Sequence, residues 1–244
     1  MISSSFFDKS CHLEKHFNKI SDSEAHNNQI IFTNHMYYIC KYSSCIILSD
    51  SMLKYQAEPG TLVNSLDNFC VKTALRGYKL GQIHKSLMSC VLGASSIESI
   101  IFVSVGTNDA HDIHFNLDSF KRQFTEFKLF LAAVFPRCKI VLVSLTPRIL
   151  PRCFDNYCCC SICRFLKIFD ITSLNSRLTI MNSFIKANAT EHSRFYFLDI
   201  FSRFQCNLNN GVKGVLAVDG LHPGRFGNNL IDREISELFK TLRY

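Results

Sequence analysis

The sequence predicts an α/β fold of the doubly wound type, in which helices cover both faces of a five-stranded, mostly parallel sheet. Two observations favour this fold. Short apolar runs recur along the chain without the alternation of a half-exposed strand, which is typical of strands that are buried on both faces. Segments with helical spacing of apolar residues lie between these runs, and strands that alternate with helices build parallel sheets.

The strands are predicted from apolar runs that end in polar or glycine-containing turns. They cover residues 45–48, 69–73, 99–105, 139–145 and 195–198. The helices are predicted from apolar residues spaced three or four apart. They cover residues 81–92, 117–135, 174–185 and 231–242. The second of these is the clearest, and Asn116 precedes it as an N-cap residue.

Composition excludes several classes of protein. The chain has 244 residues, of which 47% are hydrophobic and 19% are charged, so a wholly disordered chain is excluded. No run of 18 apolar residues occurs, so no transmembrane segment is predicted. A net charge of +7 would tolerate an acidic partner, but spread over the whole chain it forms no basic arm, and no obligate nucleic-acid partner is expected.

Residues 1–42 are polar and have no sustained period, so we interpret them as a loosely structured N-terminal extension of a domain over residues 43–244. The chain has twelve cysteines but no secretion signal at its start. This combination favours free thiols in a reducing compartment and a cytoplasmic protein. The glycosylation sequon that begins at Asn188 is a weaker sign of a secreted protein.

Polar side chains cluster after the predicted strands, where doubly wound sheets bind their ligands. Ser51 follows the first strand, Gly77 the second, and Asn108 the third, while Asp219 and His222 come before the last helix. Each of these has an ordinary structural interpretation: a helix cap for Ser51, turns for Gly77 and Asn108, and a surface turn for the other two. Together they would supply a nucleophile, a base with its orienting carboxylate, and oxyanion donors.

The order and spacing of these motifs resemble those of the SGNH (GDSL-type) hydrolase superfamily over residues 43–242. The matching motifs are S-D-S at 49–51, R-G-Y at 76–78, V-G-T-N-D at 105–109 and D-G-L-H-P at 219–223. Gly81 was an alternative for the second motif, but Ile83 and Leu87 follow Gly77 at helical spacing. The family usually has glycine where Ser49 stands, and a Cβ there is expected to crowd the turn.

The resemblance implies the flavodoxin-like sheet of the SGNH-hydrolase fold and a catalytic triad. In that triad Ser51 is the nucleophile, His222 the general base, and Asp219 its orienting partner. The oxyanion hole would consist of the backbone N–H groups of Ser51 and Gly77 and the side chain of Asn108. The implied activity is a serine esterase acting on acetyl or short acyl esters, without a cofactor.

The sequence leaves the substrate, the partners and the oligomeric state open. The small-molecule ester could be an acetylated sugar or a lipid. Residues 145–148 resemble the corresponding junction in esterases of the platelet-activating-factor acetylhydrolase type and in esterase domains of LINE-type retrotransposon proteins. The alternative to an esterase is therefore a catalytically silent or transposon-derived SGNH-like module that binds nucleic acid or lipid.

No metal site is predicted. Five cysteines crowd residues 153–163, but they lack a convincing second pair of ligands, which a structural zinc site needs. His111 and His114 flank Asp112 just after the third motif. Their spacing could suit a metal, although histidines of a loop beside a cleft are the commoner interpretation.

Overall fold

The computed structural model describes residues 45–50, 70–74, 77–88, 99–150, 170–190 and 194–243, with backbone alone for 70–74 and 190. Its five strands form one sheet in the order β2-β1-β3-β4-β5, and every neighbouring pair is parallel. The strands are β1 (Cys45–Ser49), β2 (Cys70–Ala74), β3 (Ile100–Ser104), β4 (Lys139–Val143) and β5 (Phe195–Leu198). The predicted doubly wound, flavodoxin-like fold is confirmed.

The helices within these ranges are α1 (Leu80–Met88), α2 (Thr107–Ala110), α3 (Leu117–Val134), α4 (Ile171–Thr190), α5 (Ile200–Asn209) and α6 (Arg225–Arg243). The predicted N-cap of α3 is present, because Asn116 Oδ1 accepts the Ser119 N–H at 2.8 Å. Two short helices, α2 and α5, were not predicted. Strands β3 and β4 end one or two residues earlier than predicted, and their last apolar residues continue as buried loops.

A hydrophobic core lies on each face of the sheet. Alternate strand residues point to opposite faces, so Ile46 and Leu48 pack under α1, α3 and α4 while Cys45 and Ile47 pack under α5 and α6. The apolar faces of these helices complete the two layers, with Phe124 in the first core and Phe204 in the second. Coverage on both sides explains why the strands are continuous apolar runs.

The sequon acquires a structural meaning on α4. Asn188, the acceptor residue of the sequon, is 5% exposed. Its side chain accepts a hydrogen bond from Lys128 Nζ at 2.8 Å and donates to the Phe184 carbonyl at 3.0 Å. A glycan cannot occupy this buried amide in the folded protein.

Among the described helices, none combines the length and apolar character needed to cross a bilayer.

The strand register brings the ends of three strands to one edge of the sheet. Ser49 of β1 is paired with Ala74 of β2 and with Ser104 of β3. The polar segments that follow these strands therefore start side by side, at the edge where parallel sheets hold their ligands. The predicted extension over residues 1–42 lies outside the described residues and stays a prediction.

Candidate active site

A tight turn before α6 holds Asp219 and His222 together. The turn is closed by an antiparallel bridge between Leu216 and Pro223 and by the hydrogen bond from the Ala217 N–H to the His222 carbonyl at 2.8 Å. Within it, Asp219 Oδ2 lies 2.6 Å from His222 Nδ1, a short charge-assisted contact. Nδ1 of the ring therefore faces the carboxylate, and the second ring nitrogen is Nε2.

Hydrogen bonds keep Asp219 ionised. Burial by itself raises the pKa of Asp219, but the bonds from the His222 ring and from the N–H groups of His222 and Leu221 outweigh burial, so the pKa lies below its ordinary value. Both N–H groups donate to Oδ1, at 3.0 Å from His222 and 2.9 Å from Leu221. The carboxylate can therefore stabilise an imidazolium that forms beside it.

The end of β1 is anchored to the loop after β3. The Asp50 side chain is fully buried, and its Oδ2 accepts the Thr107 N–H at 2.9 Å. The Asp50 N–H donates in turn to the Ser104 carbonyl at 3.1 Å. Ser51, the next residue and the predicted nucleophile, lies outside the described residues.

Ser49 does not disturb the end of β1. It is the last residue of the strand and is paired on both sides, so its backbone is extended and accommodates a Cβ. Its Oγ donates to the Asp50 carbonyl at 2.9 Å. The crowding expected from a residue other than glycine is therefore not seen in the described end of this strand.

Asn108 is joined to the segment that follows Gly77. Its Nδ2 donates to the Tyr78 carbonyl at 3.0 Å. Gly77 has φ +72, in the left-handed region that favours glycine. Gly106 has φ +116, a backbone conformation that favours glycine, and a Cβ there would lie 3.0 Å from Phe120 Cε2, a tight contact.

Asp109 holds the start of α1 against the same loop. Its Oδ2 accepts the Leu80 N–H at 2.9 Å, and the residue is 9% exposed. Burial, followed by the nearby charge of Asp50, raises the pKa of Asp109 to about 6, although the Leu80 N–H and Lys79 act against the rise. Adjacent side chains, Asn108 and Asp109, thus fix the chain from Tyr78 to Leu80.

Comparisons with known proteins give structural matches alone: no family model matches the chain, and no curated protein matches it. A Bacteroides fragilis protein assigned as an acylhydrolase superposes with a TM-score of 0.61 at 16% identity, covering 81% of this chain and 86% of that one. A catalytic mutant of an acetylxylan esterase from Geobacillus stearothermophilus superposes with a TM-score of 0.59 at 16% identity, over 80% of this chain and 93% of that one. A GDSL-like lipase from Bacteroides thetaiotaomicron gives 0.58 at 18% identity, over 83% and 90%.

The chain has the fold of the SGNH (GDSL-type) hydrolases. The Asp219–His222 turn and the Asn108 loop lie at the carboxyl edge of this SGNH-type sheet, where sequence analysis expected a site. At identities of 16–18% these superpositions show the fold alone, and the roles of individual residues stay predictions.

The segment after β4 lies between α4 and the His222 turn of the SGNH-type fold. Asn182 binds both the N–H and the carbonyl of Leu145, at 2.7 and 2.9 Å. Asn175 binds both backbone groups of Arg148 in the same way, each at 2.8 Å. On the other side the Ile149 N–H donates to the Gly220 carbonyl at 3.1 Å. Side-chain amides thus satisfy backbone groups of this segment beyond the end of β4.

Arg148 connects the two loops of the site. It is 1% exposed, its Nη1 lies 3.0 Å from the Leu221 carbonyl, and its Nε lies 3.4 Å from His111 Nε2. No role for Arg148 was predicted from the sequence, where it belongs only to the resemblance over residues 145–148. The available signal was a Pro-Arg pair shortly after a buried strand, where a charged residue needs partners.

The loop after α2 is not arranged as a metal site. Asp112 forms an ion pair with Lys79 and accepts the His114 N–H at 3.1 Å, while His111 faces Arg148. Within the described ranges, no group of three or more histidine, cysteine or carboxylate side chains is placed to bind an ion. The cysteines of residues 153–163 lie outside those ranges, so the expectation about zinc stays a prediction.

A groove of about 620 Å³ lies between α1 and α3. Asp109 and Asp112 line it, whereas Asp219 and His222 do not. The groove is therefore separate from the hydrogen-bonded pair.

Proposed function

We propose that this protein is a serine esterase of the SGNH type, which hydrolyses acetyl or short acyl esters through an acyl-enzyme. Ser51 is the nucleophile, His222 the general base, and Asp219 the residue that orients and stabilises the imidazole. The observation that carries the proposal is the 2.6 Å contact between Asp219 Oδ2 and His222 Nδ1 at the carboxyl edge of the sheet. With Nδ1 facing the carboxylate, the proposed proton acceptor is His222 Nε2.

The reaction proceeds in two half-reactions, acylation of Ser51 by the ester and hydrolysis of the acyl-enzyme by water. Ser51 Oγ attacks the ester carbonyl carbon as its proton passes to His222 Nε2. The tetrahedral intermediate collapses, the carbon–oxygen bond to the alcohol breaks, and His222 returns the proton to the leaving alcohol. Water then attacks the acyl-enzyme with His222 as base, which releases the carboxylic acid and restores Ser51. The scheme uses no cofactor.

The oxyanion is stabilised by the Asn108 side chain and by the backbone N–H groups of Ser51 and Gly77. An amide nitrogen carries two hydrogens, and one of those on Asn108 is used by the Tyr78 carbonyl. The other is available for charge that develops on the substrate oxygen. The bond to Tyr78 also supports this role, because it holds the Asn108 side chain in one orientation.

The substrate is a small-molecule ester, either an acetylated sugar or a lipid. The named activities of the structural neighbours, acetylxylan esterase and GDSL-like lipase, support both ester classes. Exposed apolar side chains beside the site favour an ester with an apolar part: Val218 precedes Asp219 and is 62% exposed, and Leu150 is 49% exposed. Hydrolysis of soluble esters of increasing acyl length measures the preference directly.

Labelling with a fluorophosphonate tests the assignment of the nucleophile. The probe is expected to add once per chain, and peptide mapping by mass spectrometry should place the adduct on Ser51. Ser51→Ala should remove the label, whereas Ser183→Ala, which changes an exposed serine on α4, should keep it. An adduct on Ser49 alone would overturn the assignment, and a folded wild type that takes up no label would favour the silent binding module.

A further inference from the structure

Arg148 is the largest fully buried side chain among the described residues. A buried guanidinium needs acceptors for its donors and a charge to balance it. Nη1 lies within 3.2 Å of the Thr146 hydroxyl and of the Thr146, Pro147 and Leu221 carbonyls. The carboxylates of Asp50 and Asp219 both interact favourably with its charge.

The backbone of Arg148 is held as tightly as its side chain. Asn175 accepts its N–H and donates to its carbonyl, both at 2.8 Å. The next residue, Ile149, donates its N–H to the Gly220 carbonyl at 3.1 Å. The guanidinium therefore extends from a fixed backbone toward the turn that carries His222.

Arg148 and Asp219 grip opposite sides of the peptide unit between Leu221 and His222. The carbonyl of this unit accepts a hydrogen bond from Arg148 Nη1 at 3.0 Å. Its N–H donates to Asp219 Oδ1 at 3.0 Å. A peptide is planar, so hydrogen bonds to both its oxygen and its nitrogen fix its orientation. The position of the His222 Cα, from which the imidazole extends, is fixed with it.

The same guanidinium occupies one nitrogen of a second imidazole. Arg148 Nε lies 3.4 Å from His111 Nε2, and a nitrogen that accepts from a guanidinium cannot also carry a proton. Burial, then the charges of Arg148 and His222, lower the pKa of His111 to about 3. Burial also lowers the pKa of Arg148, to about 10, which leaves it charged at neutral pH.

We propose that Arg148 is a positioning residue for the general base: it clamps the Leu221–His222 peptide and occupies His111 Nε2 as an acceptor, so that His222 is the imidazole that exchanges protons with the substrate. The proposal rests on the esterase function proposed above. The groups that face the guanidinium are Asp50 from β1, His111 from the loop after α2, and Asp219 with His222 from the turn.

Three variants separate positioning from stability. Arg148→Met removes the charge and the donors, Arg148→Lys keeps the charge, and Arg194→Met is the matched control. Arg194 donates to the Phe135 and Ala132 carbonyls at 2.8 and 2.6 Å. It precedes β5 at the opposite edge of the sheet, so its loss removes similar bonds far from His222.

Steady-state kinetics on a soluble ester gives the first measurement. Arg148→Met is expected to lower kcat by about a hundredfold with KM within a few-fold of wild type, because a small misplacement of a catalytic group costs about that much. Arg148→Lys should recover part of the loss, and Arg194→Met should leave kcat unchanged. Equal losses in Arg148→Met and Arg194→Met, or an unchanged kcat in Arg148→Met, would overturn the proposal.

Nitrogen NMR of the imidazoles gives a second measurement that needs no activity. In the wild type, His111 should remain neutral with its proton on Nδ1 down to about pH 4, and in Arg148→Met it should take up a proton above that pH. If Arg148→Met does not fold, the wild-type spectrum and Arg148→Lys still decide, because a protonated His111 at about pH 5 contradicts the proposal.

The two proposals fail in different ways. If Ser51 takes up no fluorophosphonate while His111 behaves as expected, the esterase function is wrong and the clamp is a structural feature of the turn, so the positioning role falls with it. If Ser51 is labelled and esters are hydrolysed, but His111 titrates normally and Arg148→Met keeps its kcat, the esterase stands and the role of Arg148 is wrong.

Discussion

Replacing Asp109 with Asn is expected to change how the stability of this protein depends on pH. The side chain is 9% exposed and accepts the Leu80 N–H through Oδ2 at 2.9 Å. The side-chain carbonyl of an Asn can accept the same bond. The substitution therefore removes a buried negative charge while it leaves the contact with the start of α1 in place.

The size and sign of the effect follow from the pKa of this carboxyl. Burial is the main cause that raises the pKa of Asp109 from 3.8 to about 6. The native state then binds a proton more tightly than the unfolded state, so its stability falls as the pH rises between these two values. The difference corresponds to about 3 kcal/mol. The wild type loses this contribution between about pH 4 and pH 6, and Asp109→Asn does not.

Urea unfolding followed by far-UV circular dichroism, from about pH 3.5 to pH 8, measures this directly. As the pH rises through this range, the free energy of unfolding of Asp109→Asn should increase relative to that of the wild type by up to about 3 kcal/mol. Glu237→Gln is the control, because it removes one negative charge from an exposed position on α6. If wild type and Asp109→Asn show the same dependence of unfolding free energy on pH, Asp109 ionises normally and the reasoning from burial is wrong.

Two further predictions concern the proposed catalytic groups, and each variant is first checked for folding by circular dichroism. Asn108→Ala should lower kcat by about a hundredfold or more with little change in KM, because an oxyanion donor acts in the transition state. An unchanged kcat in steady-state assays would mean that Asn108 serves only to hold Tyr78. His222→Ala should be nearly inactive and Asp219→Ala should keep measurable turnover, since the imidazole transfers protons in both half-reactions. Equal loss in both would show that nothing substitutes for Asp219, and near-normal turnover of His222→Ala would contradict the triad.

The layers of the fold could be predicted because their signals are local. Each strand is a continuous apolar run, and α3 repeats its apolar residues at helical spacing over five turns. The helix α5 had a signal that went unused: Asp199 caps it by accepting the Ser202 N–H at 3.0 Å, and Ile200, Phe201 and Phe204 are buried at helical spacing. No helix was predicted for the ten residues between β5 and the glycine-containing loop, although their buried apolar residues have helical spacing.

In the candidate site, too, contacts between residues close in sequence could be predicted and long-range contacts could not. Asp219 and His222 are three residues apart, so a single turn brings them together, and their spacing alone suggested the contact. Arg148 meets Leu221 across 73 residues and His111 across 37. The sequence around Arg148 does not identify these partners, because the contacts depend on how the segment after β4 and the His222 turn meet at the sheet edge.

Two carboxylates at this edge differ because hydrogen bonds outweigh burial at one and not at the other. Burial raises the pKa of both. At Asp219 the bonds from the His222 ring and from two N–H groups outweigh it, so the pKa is lowered, whereas at Asp109 burial, with the charge of Asp50, prevails over the Leu80 N–H and the pKa rises to about 6. Protonation of Asp109 could therefore be mistaken for protonation of the general base when the rate of ester hydrolysis falls in acid. Asp109→Asn separates them. If His222 is the base, the variant should keep the acid limb of the wild-type rate profile, since a protonated His222 cannot accept the Ser51 proton. A limb that disappears in Asp109→Asn would assign it to Asp109 and remove the support that the pH profile gives to His222.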